Sequence, residues 1–175
     1  MNVKNYISGI SLIMISFTAC KNHPLARTFL IPSDYQGTLR IIYDEKCGVK
    51  PKEENGREVF QFQKNGLVIL TSEIDYKMKN DFYLVDDKGK RLKVNQISRF
   101  EDRVNKMPAI LAGGEMVSSS DVFVLNSKST RVSGGAHCMD FYLYNKDTTK
   151  IEDSKLSQKL DSLTNSVVKA CRENK

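Results

Sequence analysis

The most reactive side chains in this 175-residue chain are its four cysteines, Cys20, Cys47, Cys138 and Cys171. Cys138 lies in His137-Cys138-Met139-Asp140, a run that offers a nucleophile, a base and a carboxylate to orient it. Alternation along an extended strand sends His137 and Cys138 to opposite faces, so the run does not assemble a catalytic group. Cys47, Cys138, Cys171 and His137 are also zinc-ligand types. No Cys-x-x-Cys pair is present, however, and structural zinc sites normally show that spacing. Ser118-Ser119-Ser120 follow no strand–turn–helix elbow of the hydrolase kind and read as a polar loop. Glu53-Glu54 and Asp86-Asp87 are paired carboxylates, the groups a glycosidase uses, but they fall in segments that read as solvated turns. Asp86–Gly89 is too short for a helix–loop–helix calcium loop. The sequence therefore assigns no catalytic residue, no metal ligand and no cofactor.

Cys20 belongs to a different chemistry. Met1–Asn5 carries one lysine, and Tyr6–Phe17 is an almost unbroken apolar or small run. A membrane-spanning helix needs about 20 apolar residues, so this run has the length of a signal-peptide core. It ends in Ser16-Phe17-Thr18-Ala19-Cys20, followed by the polar Lys21-Asn22-His23-Pro24. This junction resembles a bacterial lipoprotein signal peptide, although Phe17 stands where that family prefers Leu or Val. The resemblance implies cleavage before Cys20, a diacylglycerol on its sulfur and an acylated amino terminus. Two or more acyl chains anchor a protein stably where one does not. Lys21 replaces the aspartate that resembles an inner-membrane retention signal, which points to the outer membrane. Residues 1–19 are then a signal peptide, and 20–28 a lipidated cysteine with a short flexible tether.

The composition, 40% hydrophobic and 27% charged, suits one packed domain beyond the leader. The net charge of +6 is scattered, without the dense basic stripe and interleaved aromatics of a nucleic-acid reader, so no nucleic acid is expected as a partner.

The elements that would position these residues are mostly strands. Phe29–Pro32 reads as an extended entry, Gly37 as a turn, and Thr38–Tyr43 as a strand with Leu39, Ile41 and Tyr43 on one face. Arg40 and Ile42 lie on the other, and Ile42 marks that face as partly covered. Phe60 and Phe62 share a face, and Asn65-Gly66 predicts a hairpin that sets Phe62 opposite Ile69. Phe82–Val85 and Leu92–Val94 predict a second hairpin around Asp86–Lys90. Ser98–Lys106 reads as a short helix, Met107–Ser120 as mostly loop, and Asp121–Leu125 as a strand. Ser133–Ala136 reads as a turn into a strand over Cys138–Tyr144. The period then changes: Leu156, Leu160, Leu163, Val167 and Cys171 form an apolar stripe on a helix of about 154–172.

These elements predict a mainly β, α+β domain over residues 29–175. It is an antiparallel β-sandwich-like fold of about seven or eight strands, with the amphipathic helix packed on a sheet. A strand from Cys138 to Asn145 and a helix from Ser154 to Cys171 each run roughly 25 Å. A helix folded back over that strand returns Cys171 to the level of Cys138. A Cys138–Cys171 disulfide is therefore expected, ahead of a pair involving Cys47 or no bridge.

Ile31-Pro32-x-x-Tyr35-x-Gly37-x-Leu39-x-Ile41-x-Tyr43, then Phe60-x-Phe62-x-x-Asn65-Gly66-Leu67 with Thr71-Ser72, resembles an uncharacterised bacterial domain family of exported and lipid-anchored proteins. That family often repeats Ile-Pro before the Asn-Gly turn, where this chain has Gln63-Lys64. The resemblance, spanning about Phe29 to Tyr144, implies fold and location and supplies no site. The expectation is a lipid-anchored envelope protein that faces the periplasm and binds or presents something without catalysis. Its partners would be the membrane, through lipid on Cys20, and an envelope protein or a glycan. The alternatives are an enzyme acting on an envelope substrate and an adhesin- or pilus-like structural module.

Overall fold

The computed structural model describes residues 26–118, 135–145 and 154–173. The leader with Cys20, Ser119, Ser120 and the strand expected over Asp121–Leu125 lie outside them. Among the described residues ten strands form two five-stranded sheets, followed by one helix. The first sheet has the order β3 (Lys52–Glu54), β4 (Arg57–Gln61), β1 (Ala26–Pro32), β6 (Lys79–Val85) and β7 (Arg91–Lys93). The second has the order β5 (Leu67–Ile69), β2 (Gly37–Tyr43), β10 (Ala136–Tyr144), β9 (Ala109–Ser118) and β8 (Asn95–Ile97). Helix α1 (Ser154–Glu173) lies on the outer face of the second sheet. The sandwich-like, mainly β architecture with a C-terminal helix is the one the sequence indicates.

Strand pairing departs from the antiparallel expectation, because β1 runs parallel to both β4 and β6, and β2 runs parallel to β5. The cause lies at the corners. Parallel neighbours need a crossover rather than a tight turn. Here the crossover is the other sheet: the chain passes from β1 to β2 around Ser33–Gln36, and from β4 to β5 around Phe62–Gly66. The two arches stack side by side. Asn65-Gly66 does turn, with Gly66 N–H donating to Gln63 O at 3.0 Å and Asn65 Oδ1 accepting from Leu67 N–H at 3.0 Å. Its flanking strands enter different sheets, so the Phe62–Ile69 hairpin pair is not formed. The Tyr83–Lys93 hairpin is formed as expected.

Stacking the arches places like residues in register. Phe29 stands opposite Phe60 on one side and Phe82 on the other. The three rings form a ladder with centroids 5.6 and 5.3 Å apart, and Phe141 of the second sheet meets Phe82 at 4.9 Å. Each aromatic pair adds about 0.5–1.5 kcal/mol beyond area burial. With Ile31, Leu39, Ile41, Phe62, Val68 and Leu143 the ladder fills the space between the sheets.

Four further readings change. Regular structure begins before Phe29, because β1 begins at Ala26 and Arg27 is buried, donating to Glu58 Oε2 at 2.9 Å and Ser72 Oγ at 3.0 Å. The segment read as loop from Met107 is instead β9; its Gly113-Gly114 lies where the β9–β10 register shifts by a bulge. Glu53-Glu54 lies in β3 rather than a turn, with Glu54 bound to Arg91. The short helix is a 3-10 turn over Phe100–Asn105.

The β4–β5 corner and the β3–β4 hairpin turn each depend on a glycine, and the two are of different kinds. Gly66 has φ +82°, and a Cβ there would lie 2.0 Å from the Tyr35 hydroxyl; Gly56 has φ +71° and open space around it. Gly66→Ala therefore carries both backbone strain and a clash, whereas Gly56→Ala carries only the strain, about 1–3 kcal/mol. Urea unfolding should show Gly66→Ala losing clearly more stability than Gly56→Ala; equal losses would refute the corner packing.

Candidate functional site

Helix α1 is attached to the second sheet by three different bonds, and together these define its cleft. Arg40, on the outward face of β2, has no solvent exposure. Its Nε and Nη2 donate to the two carboxylate oxygens of Asp140 on β10, at 2.7 and 2.8 Å. Its Nη1 donates to Asp161 Oδ1 at 2.7 Å and Thr164 Oγ1 at 3.1 Å, both on α1. Thr164 in turn donates to Leu160 O at 2.7 Å, within the helix. Burial pulls the Arg40 pKa down, but the hydrogen bonds it donates to Asp140 and Asp161 outweigh this and leave the guanidinium more firmly charged.

The second attachment is apolar. Val168, with Val167 beside it, packs on Ile42, Ile69, Ala136 and Cys138. From residue 159 on, the most buried helix positions are Leu160, Thr164 and Val168, while Leu163, Val167 and Cys171 run along one rim. Leu160 keeps its place in the apolar stripe, but beyond it the buried positions fall one residue later, at Thr164, which meets Arg40, and at Val168.

The third attachment is covalent. Cys171 bonds Cys47, with a Cα–Cα separation of 5.4 Å, and Arg172 beside it donates to Glu45 Oε1 at 2.5 Å and Oε2 at 3.2 Å. This corrects the expected Cys138–Cys171 bridge. The helix does fold back over β10, but Cys138 is buried in the sheet beneath Val168, while Cys171 at the rim meets the loop after β2. That loop is held close to β5: Gly48 approaches Leu70 so nearly that a Cβ would stand 2.2 Å from its carbonyl carbon.

The other sequence candidates disperse. His137 points away from Cys138, toward Glu115 at 3.9 Å, and Asp140 is committed to Arg40. Cys47 and Cys171 are oxidised together, leaving no shared set of ligands with Cys138 and His137. Asp86 accepts from Lys88 and Lys90 N–H and closes the hairpin loop.

A cleft remains beneath the first half of α1. It is a mainly apolar hollow of about 240 Å³, with Tyr35–Thr38 and Lys64-Asn65 on one wall and Lys159, Leu160 and Leu163 on the other. The Tyr35 hydroxyl donates to Thr38 O at 2.5 Å, and burial raises its pKa, so the phenol stays neutral. A second, open groove of about 660 Å³ runs along the sandwich end past Pro32–Asp34, Gln61–Lys64 and Val85–Asp87. Sequence reading found Tyr35, Gly37 and the Asn65-Gly66 turn as landmarks. It missed Lys64 and Lys159, which carry no pattern and meet only through the fold.

A family model covers residues 25–133, more than half of the chain. The chain belongs to the DUF6843 family, a family of unknown function. The matched segment contains β1 to β9 and the Tyr35 wall of the cleft; β10, α1 and Cys171 lie beyond it. A crystal structure described as a "Putative Lipoprotein from Bacillus anthracis" has a similar fold, with a TM-score of 0.52 and 14% sequence identity. The likeness covers 81% of this chain and 92% of that one. No curated protein matches.

Two outcomes follow from the attachments of α1. Alkylation of the unreduced, denatured chain should modify Cys138 and leave Cys47 and Cys171 unmodified until a reductant is added; protection of Cys138 would overturn the pairing. Removing one partner of a buried ion pair costs about 3–5 kcal/mol, so Asp140→Ala should destabilise the protein by that order. Asp161 is 45% exposed on its side chain, and Asp161→Ala should cost about 1 kcal/mol or less. Equal losses in thermal or urea unfolding would contradict this division.

Proposed function

We propose that the protein is a lipid-anchored bacterial envelope protein that binds a ligand without transforming it. The observation that carries the binding part is the fate of its charged groups. Arg27–Glu58, Arg40–Asp140, Arg57–Asp81, Arg91–Glu54 and Arg172–Glu45 are closed pairs that stitch strands, loops and helix together. Catalysis draws on an acid, a base or a nucleophile converging on a cavity. The larger hollows described here are lined instead by tyrosine, leucine, amides and lysines, or by carboxylates in an open end groove.

The envelope location is supported by the leader ending at Cys20 and by the Cys47–Cys171 disulfide across 124 residues, since disulfides persist in oxidising compartments. The lipoprotein description of the similar Bacillus anthracis structure agrees with it. On this reading Cys20 holds the lipid, residues 1–19 are removed, and Lys21 favours the outer membrane in a two-membrane cell. Donor-strand exchange, the alternative for a pilus-like module, uses a long open edge. The edge strands described, β3, β5, β7 and β8, have three residues each.

The anchor is tested by radiolabelled palmitate. Label and membrane association should both disappear in Cys20→Ala and persist in Cys138→Ala; continued labelling of Cys20→Ala overturns the anchor.

A further inference from the structure

We propose that the cleft between α1 and the Tyr35 corner binds a small single-chain amphiphile with an anionic head, an alkyl phosphate or a fatty carboxylate. This names the ligand class for the binding module above and rests on that reading. The apolar part of the site is Leu160 and Leu163 facing the Tyr35 ring, together with the stems of Lys64 and Lys159. Its volume of about 240 Å³ is below the ordinary range for drug-sized ligands and suits the end of one chain.

The polar part is the pair of ammonium groups. Lys64 and Lys159 both line the cleft, no carboxylate lines it with them, and neither has an ion-pair partner among the described residues. This contrasts with the five arginines above, each of which holds a carboxylate. Lys64 and Lys159 line the same small apolar hollow, and an anionic head at its mouth is attracted by both charges. Low-dielectric walls concentrate the field at the mouth and favour the anion further. The Tyr35 hydroxyl donates to Thr38 O, and the carboxylates nearest in the described hollows, Asp34, Asp86 and Asp87, line the end groove on the other side of Lys64 rather than the cleft. A cationic amphiphile of equal length would fill the same space and meet repulsion.

The test uses the full chain in membrane vesicles, photolabelled with a diazirine-bearing decyl phosphate and mapped by mass spectrometry. Label is expected on the peptides holding Tyr35 and Leu160–Leu163. Decyl phosphate and decanoate should compete, whereas inorganic phosphate and decyltrimethylammonium should not. The double variant Lys64→Glu/Lys159→Glu alters exposed side chains and should keep the Cys47–Cys171 disulfide while losing cleft label at least tenfold. Leu163→Trp, which fills the hollow, should lose it as well. Competition by decyltrimethylammonium, or label unchanged in the lysine variant, overturns the proposal. So does stronger competition by an acetylated acidic leucine peptide, which would assign the cleft to a protein partner. Absent cleft label without turnover overturns the ligand class and leaves the non-catalytic reading standing. Release of decanol from decyl phosphate would support binding here and overturn that non-catalytic reading.

Discussion

A guanidinium held away from water between a sheet and a helix must keep every neighbour in place. Arg40 donates two hydrogen bonds to Asp140 on the adjacent strand and one each to Asp161 and Thr164 on α1. Desolvating the charge costs several kcal/mol, and only this geometry offsets it. Any rotation of α1 that lost Thr164 would leave a buried charge short of partners. The helix is therefore set in azimuth by polar bonds as well as by its apolar stripe. Its distal end is fixed separately by Cys47–Cys171 and Arg172–Glu45. A disulfide closing so long a loop contributes on the order of 4–5 kcal/mol in the chain-entropy account. The two fixings lie at the middle and end of the helix, and the cleft opens toward its start.

The sheet beneath owes its order to the stacked arches. Parallel β1, β4 and β6 carry Phe29, Phe60 and Phe82 in register, and a slip of one residue would turn the phenylalanines out of the core. Tyr35 then seats on Gly66, one arch corner against the next, with Arg40 N–H donating to Gly66 O at 2.8 Å. The corner is rigid because its turn residues are also its contact residues.

Much of this was legible locally and little of it at long range. Period two identified β2 and β10, and period 3.6 identified α1, because each has a face that must be buried. The Asp86–Lys90 hairpin followed from turn chemistry. The Asn65-Gly66 turn was equally visible, yet its hairpin was not formed. A turn signal reports that the chain reverses, and it carries no information about which sheet receives the next strand. Gly113-Gly114 looked like a loop because glycine serves a bulge as well as a turn. Cys171 was placed at the correct height over β10 but paired to the wrong cysteine, since helix length sets height and the azimuth imposed by Arg40 and Thr164 sets the partner.

The same distinction separates structural residues from those available for function. Tyr35, Gly37, Asn65 and Gly66 carry the family resemblance, and each has a packing or backbone duty at the corner, which accounts for their presence without a ligand. Lys64 and Lys159 have no such duty. Among the described residues they complete no ion pair, yet one arch corner and the first half of α1 bring them to one apolar hollow. One wall of that hollow lies inside the segment matched by the family model and the other beyond it. Ligand preference in this architecture is therefore expected to depend on what the C-terminal helix presents to a corner that the fold itself requires.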